Sequence, residues 1–226
     1  MTMENIATDL WAVAAPQSFL GLHVGTHMTV VRLQDGSLLV HSPIALTPSL
    51  KLKVDAIGPV RHIVAPNVYH HLYAGEWQDA YPGALLHAAV GLAKRRRDLA
   101  IDRELRGETH PDWAADLETS YLDGTMLNET VFFHRRSRSL VVADVIENFE
   151  TSPHWPTRIY LKLGGIHGTP GLSRPLRLVF RDKKRARRSI DEILSWDFER
   201  ILLAHGDIIE TGGHDALRDA YTWLKG

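Results

Sequence analysis

The sequence predicts a mixed α/β fold built in layers, and three observations carry that reading. Apolar runs of strand length at residues 60–65, 140–143 and 201–204 each lead to residues with metal-ligating chemistry: His70 and His71, Asp144, and His205. Asp35-Gly36 lies between apolar runs at 28–33 and 38–41, the strongest short-range hairpin signal, so an antiparallel pair opens the sheet. Helix-like stretches separate the strands. In layered α/β proteins ligand sites gather at the carboxyl ends of strands, so three such ends far apart in sequence can meet in space.

Taken in order, residues 10–13 form the first strand, followed by the 28–33 and 38–41 hairpin. A helix is expected over 47–57, started by Pro48 with Ser49 and stopped by Gly58-Pro59. The 60–65 strand then delivers Asn67, His70 and His71. A helical turn or two spans 72–79, and 84–89 reads as a short strand or helix. Residues 93–123 lack a clean period and read as an irregular insertion. The pattern restarts with a second hairpin, 130–134 and 140–143 around Arg135 to Ser139. A helix follows over 189–198, with Ser189 and Glu192 as a capping box, then the 201–204 strand and a terminal helix over 216–224. One domain over 1–226 is expected, with similar halves at 1–92 and 124–226.

Composition narrows the chemistry. The 226 residues are 44% hydrophobic, enough for a substantial core. No apolar run is long enough to span a bilayer, and no basic region followed by a long apolar core opens the chain, so a cytoplasmic protein is expected. Cysteine is absent, which excludes disulfides and thiolate ligands; any transition metal must use His, carboxylate or water. The net charge of −1 gives no overall attraction to nucleic acid or anionic membrane. Basic runs at 94–97, 135–138 and 181–188 read as solvated faces without interleaved aromatics.

Pro66-Asn67-Val68-Tyr69-His70-His71-Leu72, followed by Trp77, together with 140–148, 160–165 and Ala204-His205-Gly206, resembles the metallo-β-lactamase-like superfamily, and within it a branch with a Pro-Asn-x-x-His-His-Leu motif. That resemblance implies a four-layered αββα sandwich of two similar halves. The superfamily's His-x-His-x-Asp-His pattern, aligned on His71, places His70 at the Asp and leaves Pro66 and Val68 at the first two histidines. Asp144 and His205 match the metal-binding Asp and last His. The implied ligand set is His70, His71, Asp144 and His205, holding one divalent ion: zinc first, with iron or manganese as alternatives.

The expected activity is hydrolysis by a metal-activated water, on an ester, thioester, lactone or phosphodiester-type small molecule that can be anionic. Asp144 serves also as proton acceptor, with Tyr69 and Asn67 as oxyanion donors. The alternative is a degenerate sandwich that binds or regulates without catalysis; an iron-based redox role is a third reading. His134 is expected at the surface, and His23, His27 and His167 as structural histidines.

Overall fold

The computed structural model describes residues 2–224. A seven-stranded sheet has the order β1-β2-β5-β6-β7-β8-β9. Its strands are β1 (Met3–Ala7), β2 (Leu10–Ala15), β5 (Thr26–Arg32), β6 (Leu38–His41), β7 (Val60–Ala65), β8 (Leu85–Ala89) and β9 (Arg103–Leu105). A four-stranded sheet runs β10 (Leu117–Tyr121), β11 (Thr130–His134), β12 (Ser139–Val141) and β13 (Arg200–Leu202). β3 (Ser18–Phe19) and β4 (Leu22–His23) form a separate small hairpin.

Strand periodicity creates the layers. Alternate residues of a strand face opposite ways. Met28 and Val30 of β5 and Leu38 and Val40 of β6 pack outward with Leu50, Val54 and Trp77 of the helices α1 (Pro48–Asp55) and α2 (Ala74–Ala80). Their neighbours Val31 and Leu39 point inward and meet Phe132, Val141 and Leu202 of the second sheet. The other face of that sheet, through Val131, Leu140 and Ile201, packs on Ile190 and Ile193 of α5 (Lys183–Ile193) and Leu217 of α6 (Gly213–Ala220). The result is helix, sheet, sheet, helix: the αββα sandwich.

The Asp35-Gly36 hairpin forms as expected, pairing β5 with β6, as does the second hairpin of β11 and β12. Thr47 caps α1 by accepting from the Leu50 amide. Three local expectations need correction. Residues 93–123 hold α3 (Leu92–Arg95), β9 and β10; β10 is a full strand against β11, and Trp113 is buried between the sheets. Asp182, not Ser189, caps α5 by accepting from the Lys184 and Arg185 amides, while the Ser189 hydroxyl accepts from the Asp123 amide. His134 is only 1% exposed and bonds the Ser137 hydroxyl, because it faces the sheet interior before the turn begins.

Strand direction then places the site. β6 and β7 run parallel, as do β12 and β13, so their carboxyl ends lie at one edge of the sandwich. The halves are tied there by backbone bonds from Val68 to Leu127 and from Thr130 to Pro66. The helix α4 (Trp155–Gly164) covers the same edge through its contact with β4.

Candidate metal centre

Three side chains converge at that edge: His70 after β7, Asp144 after β12 and His205 after β13. The His70 and His205 Nε2 atoms are 3.2 Å apart. Asp144 Oδ1 lies 3.4 Å from His70 Nε2 and 3.3 Å from His205 Nε2. A tetrahedral ion with bonds of about 2.0–2.1 Å has ligand-to-ligand edges of about 3.3–3.4 Å. The three donors therefore already stand close to the spacing of one face of such a tetrahedron.

The outer nitrogens explain why the inner ones are available. His205 Nδ1 faces the Gly25 carbonyl at 2.7 Å; a carbonyl only accepts, so the ring proton sits on Nδ1 and Nε2 keeps its lone pair in the neutral ring. His70 Nδ1 lies 2.6 Å from the Ser42 hydroxyl at the end of β6. Each imidazole is thus oriented by a partner outside the cluster, as metal-ligating histidines commonly are.

Asn67 builds the floor. Its Oδ1 accepts from the backbone amides of Tyr69 (2.9 Å) and His70 (2.8 Å), folding the strand exit into an Asx turn that aims His70 inward. Its Nδ2 donates to Asp144 Oδ2 (2.7 Å) and to Glu129 Oε2 (2.8 Å). Glu129 is fully buried and also accepts from the amides of Ala143 and Asp144. Burial, then the nearby Asp144 charge, pushes the Glu129 carboxyl above the usual carboxylate range. Burial alone would also raise Asp144, but His70 and His205 beside it hold it well below the usual carboxylate range. His205 loses solvation on burial, which opposes its charged form, yet Asp144 outweighs this and raises its proton affinity.

Two sequence expectations change here. His71 is not brought to the cluster: its Nδ1 accepts from Arg96 Nη1 at 2.9 Å, and its carbonyl accepts from the same group. Successive residues in the turn diverge, and the Asx turn aims the first histidine at the site. Asn67 does not serve as a donor into the pocket, since it is 0% exposed and its amide nitrogen already donates twice. Tyr69 does line the pocket, next to His70. Glu129, Ser42, Glu147 and Tyr160 were missed. Ser42 ends a strand as the ligands do, and Glu147 stands three residues after Asp144. Glu147 and Tyr160 share a partner: the Ser173 amide donates to Glu147 Oε2 and the Ser173 hydroxyl lies 2.6 Å from the Tyr160 hydroxyl.

His23 and His27 are not members of the cluster. His27 on β5 bonds the Ala204 carbonyl through its backbone amide, and His23 stacks on His154 at 3.7 Å. Several cations of the basic runs are paired with carboxylates: Arg135 with Glu118, Arg136 with Asp9, Arg138 with Asp197 and Arg187 with Asp191.

The family model described as "Domain of unknown function (DUF4336)" matches residues 7–162, a stretch that contains Asn67, His70, Glu129 and Asp144. The chain belongs to this family. Among solved structures, the DUF4336 chain is similar to a metallo-β-lactamase from Pontibacter korlensis, at 12% identity and a TM-score of 0.66, over 97% of this chain and 98% of that one. A metallo-β-lactamase from Hirschia baltica gives 13% identity and a TM-score of 0.64, over 100% and 98%. The metal-soaked Flv1 flavodiiron core from Synechocystis sp. PCC6803 gives 11% and 0.67, over 99% of this chain and 60% of that one. At these identities the likeness establishes the metallo-β-lactamase fold for the DUF4336 chain. No curated protein matches its sequence.

Proposed function

We propose that this protein is a metal-dependent hydrolase with a single divalent ion, zinc by preference, held by His70, Asp144 and His205. The observation that carries the reading is the near-equilateral spacing of two imidazole nitrogens and one carboxylate oxygen at 3.2–3.4 Å. An ion bound there would supply Lewis acidity toward a carbonyl or phosphoryl oxygen and lower the pKa of water.

The protein's own groups divide the remaining work. Asp144 is occupied on both oxygens, by the histidines and by Asn67, and acts as a ligand. The role of proton acceptor passes to Glu147, which lines the same pocket and whose carboxyl is raised by burial. Tyr69 and Tyr160, both on the pocket wall, are the candidate donors toward a developing oxyanion. The fold's carboxyl-end geometry explains why one cluster serves both binding and chemistry: its ligands belong to strand ends from both sheets, and the pocket opens directly above them.

The test is turnover by the zinc-reconstituted protein on neutral ester and thioester probes and on an anionic phosphodiester. The proposal requires at least one activity lost in His205→Ala. Equal rates for wild type and His205→Ala on every probe would leave the non-catalytic sandwich as the reading.

A further inference from the structure

Above the His70, Asp144 and His205 cluster lies a cavity of about 550 Å3, the size range of sites for drug-sized molecules. Its lining is mainly apolar, with Gln17, Ser18, Thr26, Tyr69, Tyr73 and Tyr160 among its uncharged polar side chains. The small hairpin of β3 and β4 supplies Phe19 and Leu22, the loop after β6 supplies Ile44, and the opposite side is closed by Leu72, Leu127 and Leu176. Among the described residues no lysine or arginine lines it; apart from histidines, its charged side chains are Asp144 and Glu147. Arg96 is committed elsewhere, to His71 and through three short bonds to Asp98.

This wall selects by charge. A carboxylate or phosphate recognised away from the metal needs charge-assisted partners, most often Arg or Lys, to offset its lost hydration. Here it would meet a mainly apolar lining, uncharged hydroxyls and two carboxylates, with no guanidinium or ammonium group among the described residues that line it. An apolar body, by contrast, gains from every methylene removed from water.

The hairpin adds a second observation. Its tip is apolar and exposed, with Phe19 54% and Leu20 87% accessible, on a tight turn with both Leu20 and Gly21 at positive φ. Its base is anchored rather than loose: the His23 amide donates to Thr157 on α4 at 2.8 Å and the His23 ring stacks on His154. A fixed wall carrying half-exposed Phe19 over the cavity is placed to cover an apolar ligand, and the hairpin has no lysine or arginine to offer an anion.

Resting on the hydrolase reading above, we infer that the substrate is a neutral carboxylic ester or lactone with an apolar acyl chain or ring, its carbonyl at the metal cluster and its apolar body against Phe19, Leu22, Ile44 and Leu176. In the reaction water adds to the carbonyl carbon and the acyl–oxygen bond breaks; one water proton goes to the leaving oxygen, which departs as the alcohol or, from a lactone, stays as the hydroxyl of the ring-opened acid, and the second is released to solvent as the acid ionises.

Binding and turnover are measured separately on the full chain loaded with zinc. The neutral fluorophore N-phenyl-1-naphthylamine reports cavity occupancy, and ethyl octanoate, the monoethyl suberate anion, whose carboxylate lies at the far end of the chain from the ester, and bis-p-nitrophenyl phosphate compete for it. The inference requires ethyl octanoate to displace the probe more than about tenfold better than either anion, a preference reduced in Phe19→Ser and in Leu72→Arg. Leu72 is exposed at the rim, so its replacement tests charge without emptying the core. Anions that compete as well as the ester, or variants that leave the preference unchanged, overturn the inference. Turnover of p-nitrophenyl octanoate, a thioester and bis-p-nitrophenyl phosphate decides the hydrolase reading independently: apolar binding with no turnover of any of the three ends that reading while leaving the cavity's selectivity established, and turnover of the phosphodiester with no ester selectivity in binding does the reverse.

Discussion

Asn67 Nδ2 stands 2.7 Å from Asp144 Oδ2, joining the exit of β7 in one half of the sandwich to the exit of β12 in the other. The same side chain caps the turn that aims His70 and shares its second donor with buried Glu129. One amide therefore sets the positions of two of the three proposed ligands.

Replacing it by alanine leaves the Asp144 and Glu129 oxygens and two backbone amides short of a partner. Each buried unsatisfied group costs about 1–3 kcal/mol, with water able to recover part of it. Asn67→Ala is expected to lower unfolding stability by about 2–4 kcal/mol in urea titrations. It should also weaken zinc binding by about 10–100-fold, the usual effect of removing a group that orients a ligand. Unchanged metal affinity in a folded Asn67→Ala variant would show that the amide supports the fold and not the site.

Gly206 adopts φ 100°, and a Cβ there would collide with the Asn148 backbone. Gly206→Ala should therefore shift the loop carrying His205 and cost more than about 1–3 kcal/mol. Thermal unfolding and zinc titration should both register the change; a variant equal to wild type in both would mean that the turn relaxes without moving His205.

Acid sensitivity is expected from histidines outside the site. Burial, with a small contribution from nearby His70, lowers His41 to about 3; burial, then neighbouring His62 and His110, lowers His87 to about 3. The unfolded chain protonates these rings near about 6.5. Between those values the unfolded state binds more protons, so stability falls as pH drops from about 6.5 toward about 3 and is steady above that window. His41 packs edge-on against Phe132 between the sheets, and its Nε2 has no partner among the described residues. His41→Leu should flatten the slope of unfolding free energy against pH between about 4 and 6, with little change at pH 8. An identical slope would remove His41 as a source of acid sensitivity.

Much of this architecture was legible in the sequence. The strand-end rule located His70, Asp144 and His205, and Asp35-Gly36 fixed one hairpin, because both signals are local. What failed depended on tertiary context. Choosing between His70 and His71 needs the Asx turn of Asn67 and the competing hold of Arg96, neither visible as a spacing. The helix α4 was hidden because Trp155, Ile159 and Leu163 face outward, inverting the usual apolar stripe. β10 escaped because its polar residues Thr119 and Ser120 are buried, so the strand lacks the alternation that marks a half-exposed one.

Metal stoichiometry by elemental analysis tests the central claim most directly, on zinc-reconstituted wild type, His70→Ala and His71→Ala after exhaustive dialysis. With His70, Asp144 and His205 as ligands, wild type and His71→Ala each retain close to one zinc per chain, and His70→Ala retains almost none. Loss of zinc from His71→Ala with retention in His70→Ala, or a wild type that holds none, would contradict the proposed centre.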